Sequence, residues 1–103
     1  MQQKVTNFNN SKGVHTKPMP VYARLLDISS ELGELAKEYL KNSKYGTTEF
    51  ALTEDFKEEY GDILYALLSL ATEVNIDANE CLNIALKKYK ARIEKNKSMG
   101  SGE

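Results

Sequence analysis

Residues 53–75 read TEDFKEEYGDILYALLSLATEVN, and this stretch decides the predicted fold. Apolar side chains recur in it at intervals of three and four residues, which is the period of an α-helix with one broad apolar face. The members of this face are Phe56, Tyr60, Ile63, Leu64, Leu67, Leu70, Ala71 and Val74. Thr53 is a suitable N-cap, and the acidic residues Glu54 and Asp55 suit the positive end of a helix. We therefore predict a helix that is capped by Thr53 and ends near Asn75.

Helices are also predicted on both sides of this stretch. Upstream, apolar residues recur at helical spacing from Val21 to about Asn42, directly after Pro20. Downstream, the segment Asp77-Ala78-Asn79-Glu80 matches a capping box, which predicts a third helix over residues 78 to about 95. The sequence lacks the alternating apolar pattern that is typical of strands. The predicted class is all-α, with three helices.

The two ends of the chain are predicted to lie outside the helical domain, which we place at residues 19–95. Residues 1–18 are rich in Asn, Gln and Lys and end near two prolines, so a flexible, extended N-terminal arm is expected. Residues 96–103 are predicted to form a disordered tail.

Composition and charge exclude several classes of protein. The 103 residues carry 14 Lys and Arg against 15 Asp and Glu, so no cationic field favours polymeric nucleic acid. The longest apolar run, residues 63–71, is far shorter than the roughly 20 residues of a membrane span. Cys81 is a single cysteine and cannot close an intrachain disulfide, which fits a reducing compartment. We expect a cytoplasmic protein.

The size of the predicted domain indicates self-association. A domain near 60 residues removes only about 60% of its unfolded surface from water, so three short helices enclose a small core. The broad apolar face of residues 53–75 suits the seam of a helical bundle that another subunit completes. We expect a homodimer or homotetramer with a core of the four-helix-bundle type.

Acidic side chains form a stripe along each of the first two predicted helices. At about 100° per residue, the acidic residues of each helix fall on one edge of its apolar face. The first stripe contains Asp27, Glu31, Glu34 and Glu38, and the second contains Asp55, Glu59 and Asp62. Two helices packed by their apolar faces would bring these edges together.

One interpretation of these stripes is that they bind a divalent metal ion. Like charges at such spacings each cost about 0.2 to 0.5 kcal/mol in an isolated helix, so a counter-ion is expected. Oxygen ligands without His or Cys favour Mg²⁺ or Mn²⁺, and Mg²⁺ commonly combines a few carboxylates with water and substrate phosphate. The alternative is that these acids are ordinary solvated surface.

Two sequence segments resemble the motifs of the MazG-like family of all-α nucleotide pyrophosphohydrolases. They are Ser30-Glu31-Leu32-Gly33-Glu34-Leu35 and residues 58–64. That family carries an EExxE segment followed, after a linker, by ExxD. The resemblance covers about residues 20–95. It implies that Glu31, Glu34, Glu59 and Asp62 bind one or two Mg²⁺ ions, with Mn²⁺ as a substitute. Ser30 stands where the family motif has its first glutamate.

The resemblance also implies an activity. A metal-activated water would split a nucleoside triphosphate between its α and β phosphates, giving the monophosphate and pyrophosphate. Glu31 and Glu34 are the predicted catalytic residues, with Glu31 as the acceptor of the proton. Such an enzyme serves the removal of damaged nucleotides or the control of nucleotide pools.

Further substrate contacts are predicted outside the acidic stripes. Lys87, Lys88 and Arg92 would hold phosphate oxygens. The alternative is that these cations complement the dipole at the end of the third helix. His15 would contact the base from the N-terminal arm, or it is an incidental exposed residue.

Two other functions remain open at the level of sequence. A related pyrophosphohydrolase, acting on dUTP, dCTP or phosphoribosyl-ATP, would share the metal chemistry but not the base contacts. A non-catalytic helical module for oligomerisation or regulation would carry the same acids as surface residues. The sequence does not determine the preferred base and sugar, the number of metals, or the choice between dimer and tetramer.

Overall fold

The computed structural model describes residues 1–13 and 20–100, with side chains through residue 97. These residues form four helices, α1 (Gln2–Ser11), α2 (Val21–Asn42), α3 (Glu54–Glu73) and α4 (Ala78–Gly100), and they contain no strand. The all-α prediction is confirmed. Within this part of the chain, no helix has the combination of length and apolar character that crossing a membrane requires.

An antiparallel hairpin of α2 and α3 forms the body of the molecule. At one end, Arg24 near the start of α2 binds Glu73 at the end of α3. At the other end, the ring of Phe50 in the connecting loop stacks on Tyr39 at 5.1 Å and packs edge-on against Phe56 at 4.8 Å, measured between ring centroids. Contacts at both ends fix the register of the two helices, which places their acidic stripes side by side.

The start of α3 was predicted correctly. The backbone N–H of Phe56 donates to the Thr53 hydroxyl oxygen at 3.1 Å, so Thr53 is the N-cap. This bond satisfies one of the N–H groups that a helix leaves without a partner in its first turn. Glu54 and Asp55 occupy that turn, as the sequence indicated.

Helix α1 corrects the predicted N-terminal arm. Residues 2–11 are helical, not extended, so the count of three helices was wrong. This helix docks on α3 through polar groups: the fully buried Asn9 bonds Ser69 and Tyr65, and Thr6 bonds Thr72. Residues 2–11 contain only two apolar side chains, Val5 and Phe8, of which Phe8 packs edge-on against Tyr65. Two such residues are too few for the periodicity that predicts amphipathic helices. Residues 14–18 of the predicted arm lie outside the described residues.

Helix α4 begins as predicted but continues further. The Asp77 carboxylate accepts bonds from the backbone N–H groups of Asn79 and Glu80 at 2.8 and 3.2 Å. The helix runs to Gly100, so the prediction of a disordered tail is wrong for residues 96–100, while residues 101–103 lie outside the described part. No proline or glycine stands between Cys81 and Met99 to stop it.

The single chain does not form a compact body. Its radius of gyration is 17.9 Å, against about 13 Å for a globular domain of this length, because α4 makes only sparse contact with the other helices. The buried hydrophobic residues of the described part are Ala66, Leu68 and Ala71, all on α3. Such a core is too small for a chain of this size.

Candidate metal centre

Three carboxylates from two helices converge at the middle of the hairpin. One side-chain oxygen each of Glu31, Glu59 and Asp62 lies within 4.8 Å of the other two. Glu31 projects from α2, while Glu59 and Asp62 lie one turn apart on α3. Glu31 and Glu59 are half-buried and Asp62 is exposed, so the group lies at the edge of the helix interface and opens to solvent. We call these three residues the carboxylate triad.

Glu34, the fourth predicted ligand, lies beside the carboxylate triad. It is exposed and outside the group of oxygens that converge within 4.8 Å. Its charge nevertheless acts on Glu59. The structure therefore brings three of the four predicted ligands together and places the fourth at the rim.

The outer members of the acidic stripes have other surroundings. The Asp27 carboxylate lies 3.6 Å from an Arg24 guanidinium nitrogen and outside the triad. The Glu38 carboxylate accepts a bond from the Asn42 side-chain amide at 3.3 Å. Asp55 lies in the exposed first turn of α3. The centre of each stripe, not its full length, forms the candidate centre.

Negative charge accumulates at the carboxylate triad. The pKa of Glu59 is raised above that of an ordinary glutamate, first by lost hydration and then by repulsion from Glu31, Asp62, Glu34 and Glu38. In the described part of the chain, ion pairs join Arg24 to Asp27 and Glu73, and Lys57 to Glu54, and none reaches the triad. A bound cation would remove this repulsion.

The donor set fits a hard divalent cation such as Mg²⁺ or Mn²⁺ better than zinc. All three ligand groups are hard oxygen donors, and no His or Cys takes part. With Mg–O distances of about 2.1 Å, neighbouring ligands of an octahedral ion lie roughly 3 Å apart and opposite ligands roughly 4.2 Å apart. The triad oxygens lie within 4.8 Å of one another, near these separations. The exposed side leaves coordination positions for water and phosphate.

The predicted phosphate-binding cations are not part of this centre. Lys87, Lys88 and Arg92 lie on α4 and are exposed, and none is among the charges that act on Glu59. Lys88 and Arg92 instead lie over the ring of Tyr89, at 5.0 and 5.7 Å from its centroid. Within one chain, these cations do not meet the carboxylate triad. His15 lies outside the described residues.

The chain is similar in sequence to a known bacterial protein. The chain is 38% identical over 78 residues to the uncharacterized protein YpjD of Bacillus subtilis (strain 168). The match covers 73% of this chain and 66% of YpjD, so the chain spans slightly less than two thirds of the relative's length. No protein-family model matches the chain, and no solved structure matches it significantly. The similarity indicates shared descent over most of the chain and carries no activity with it.

A depression beside the carboxylate triad contains residues that were not predicted as site residues. Its volume is about 410 Å³. It is lined by Glu34, Lys37, Glu38, Leu40, Lys41 and Tyr45. Glu34, which lines the depression, lies one helical turn after Glu31 on α2, so the depression begins beside the triad. Tyr45 was missed because it lies in a loop, where helical periodicity gives no signal. A larger depression of about 840 Å³ lies where α1 meets the α3–α4 junction, and none of the four predicted ligands lines it.

Proposed function

We propose that this protein is a Mg²⁺-dependent nucleoside triphosphate pyrophosphohydrolase of the MazG-like kind. The observation that supports the proposal is the convergence of Glu31, from the first acidic segment, with Glu59 and Asp62, from the second. Two sequence segments that resemble a metal-binding double motif thus meet in space with oxygen atoms at suitable distances. Carboxylates so placed repel one another, and a bound cation would relieve that repulsion.

The proposed reaction converts a nucleoside or deoxynucleoside triphosphate to its monophosphate and pyrophosphate. Mg²⁺ or Mn²⁺, when bound, would neutralise phosphate charge and lower the pKa of the attacking water. A water oxygen forms a bond to the α-phosphorus, the bond to the bridging oxygen breaks, and pyrophosphate leaves. The water proton passes to a carboxylate.

Each carboxylate has a distinct place in this scheme. Glu31, Glu59 and Asp62 would hold the metal, and half-buried Glu31 is the proposed proton acceptor. Glu34 at the exposed rim would orient the water or complete a second metal site. In this role Glu34 contributes to turnover without belonging to the tight group of oxygens.

A homo-oligomer, dimer or tetramer, is part of the proposal. Three helices leave apolar side chains exposed at the heptad spacing that is typical of helix–helix contacts. They are Leu25, Leu32 and Tyr39 on α2, Tyr60 and Leu67 on α3 with Val74 at its C-cap, and Leu82, Leu86, Tyr89 and Ile93 on α4. A second copy would cover these stripes and complete a core of the four-helix-bundle type.

Self-association would also explain the position of α4. This helix is about 34 Å long and extends from the body with its apolar stripe in solvent. Packed on a second copy, it would carry Lys87, Lys88 and Arg92 onto that copy. Phosphate binding by these cations therefore depends on the oligomer. The alternative role, in which they complement the helix dipole of α4, does not require an oligomer.

Cellular setting follows from the substrate. We place the protein in the cytoplasm, where nucleoside triphosphates are supplied and where the exposed thiol of Cys81 stays reduced. Removal of damaged nucleotides and control of nucleotide pools are both compatible with this activity.

The decisive experiment measures pyrophosphate release from a panel of standard and modified nucleoside triphosphates with Mg²⁺. We expect Glu31→Gln and Asp62→Asn to lower kcat at least 100-fold, with helical content and oligomeric state unchanged. Glu58→Gln is the matched control, because Glu58 is exposed, adjoins Glu59 and lies outside the carboxylate triad. Equal activity of all variants would contradict the proposal.

The alternative is a non-catalytic helical module for oligomerisation or regulation, which the exposed apolar stripes favour. The two functions differ in their use of metal. A panel without any pyrophosphate release, together with no Mg²⁺ binding in calorimetry, would support the module.

A further inference from the structure

The loop between α2 and α3 holds Tyr45 in an unusual backbone conformation. Lys44, Tyr45 and Gly46 all have positive φ angles, of 47°, 59° and 84°. Glycine adopts this left-handed region freely, but each residue with a side chain is strained there. Two consecutive non-glycine residues in this region indicate that the surrounding structure imposes the conformation.

Hydrogen bonds around a buried serine impose it. Ser43 is fully buried, and its hydroxyl donates to the Tyr39 carbonyl at 2.8 Å and accepts from the Gly46 N–H at 3.1 Å. The Tyr45 N–H donates to the Leu40 carbonyl at 2.7 Å. These bonds hold the loop backbone in place, which sets the direction in which the Tyr45 side chain leaves the backbone.

This loop exposes an aromatic ring. The Tyr45 residue is 80% exposed, while Phe50 in the same loop packs between two other rings. Burial of the Tyr45 ring would offset the strain of the loop backbone, but the ring is exposed and gives no such stabilisation. The exposed ring borders the depression of about 410 Å³ described above.

The depression combines the volume of a small-molecule site with a charged and aromatic lining. Its volume falls in the range of roughly 300 to 1,000 Å³ typical of ligand sites. Lys37 and Lys41 line it and form no ion pair in the described part of the chain, although Glu34 and Glu38 lie three residues before them. Their ammonium groups remain available to an anion.

We propose that this depression binds the base of the nucleotide, with Tyr45 stacked on the ring and Lys37 and Lys41 on phosphate oxygens. The inference rests on the proposed function, because the phosphates must lie at the carboxylate triad for the base to reach Tyr45. Glu34 and Glu38 form the boundary that the two parts of the site share. Tyrosine stacks on any base, so Tyr45 supplies affinity for a nucleobase more than selection among bases.

Calorimetric binding of a non-hydrolysable nucleoside triphosphate with Mg²⁺ tests this subsite without requiring turnover. Tyr45→Ala should raise the Kd roughly 10- to 100-fold, because one base–aromatic contact is lost. Tyr45→Phe should bind as the wild type does, since the ring is retained. Tyr22→Ala is the matched control, as Tyr22 is 71% exposed on α2 and does not line the depression.

Inorganic tripolyphosphate has the phosphates but no base, so it tests phosphate binding separately from base stacking. Its Kd should be unchanged in Tyr45→Ala and raised in Lys41→Ala. An unchanged nucleotide Kd in Tyr45→Ala would overturn the inference, and so would equal weakening of both ligands. Wild-type protein that binds no nucleotide would overturn it as well. Pyrophosphate release by the wild type decides the proposed function separately, since an active enzyme with a dispensable Tyr45 refutes the subsite alone.

Discussion

The buried ion pair between Arg24 and Glu73 should be the most sensitive polar contact in the hairpin. Two hydrogen bonds join the guanidinium to the carboxylate, at 3.1 Å from Nε and 2.8 Å from Nη2, and both side chains are only 8% exposed. Each charge is unfavourably placed on its own helix, since Arg24 lies near the positive start of α2 and Glu73 at the negative end of α3. The pair is stable because each group compensates the other.

Removing either partner leaves a buried charge, which costs about 3 to 5 kcal/mol. Arg24→Met should fall at the upper end, because no other cation in the described part of the chain pairs with Glu73. Glu73→Gln should fall at the lower end, because Asp27 remains 3.6 Å from Arg24 and the new amide oxygen still accepts a bond. In a small domain such losses lower the unfolding temperature by more than about 10 °C.

Urea denaturation at pH 7, monitored by far-UV circular dichroism at one chain concentration, measures these changes in the free energy of unfolding. Lys57→Met is the control, since the Lys57–Glu54 pair is exposed and should contribute less than about 0.5 kcal/mol. Replacing both members of the buried pair by apolar residues should recover most of the loss. The reasoning is refuted if Arg24→Met and Lys57→Met destabilise the protein equally.

Three further predictions concern single hydrogen bonds and one pKa. Tyr65→Phe removes the donor to fully buried Asn9 and should cost about 1 to 3 kcal/mol in thermal or urea unfolding, with α1 released first in hydrogen exchange. Thr53→Ala removes the cap on the Phe56 N–H and should cost about 1 kcal/mol by the same measurement, whereas Thr53→Ser should restore it. The raised pKa of Glu59 means that the folded state binds a proton more tightly than the unfolded state, so metal-free protein should gain stability as pH falls towards the pKa of Glu59. Glu59→Gln removes this titrating group, so the variant should gain less stability at low pH and should have a higher unfolding temperature than the wild type at pH 7. A variant whose stability depends on pH as the wild type's does would contradict the assigned repulsion.

The main helices were predictable because their signals are local. Thr53 and Asp77 cap the helices they were expected to cap, and apolar periodicity located α2 and α3 to within two residues of their ends. The acidic stripes were also visible, since helical geometry fixes which side chains share an edge. Local spacing therefore determined the class of fold and the choice of candidate ligands.

Contacts between distant parts of the chain decided the rest. Asn9 in α1 is buried against Ser69, sixty residues away, and nothing in the spacing of residues 1–13 indicates a polar helix with that partner. The separation of Glu34 from the carboxylate triad depends on the rotation of α2 against α3, which a helical wheel does not give. The exposed ring of Tyr45 depends on a loop conformation set by a buried serine. Spacing along one helix is a property of the sequence, whereas the distance between two helices is set by packing, and the candidate metal centre lies between two helices.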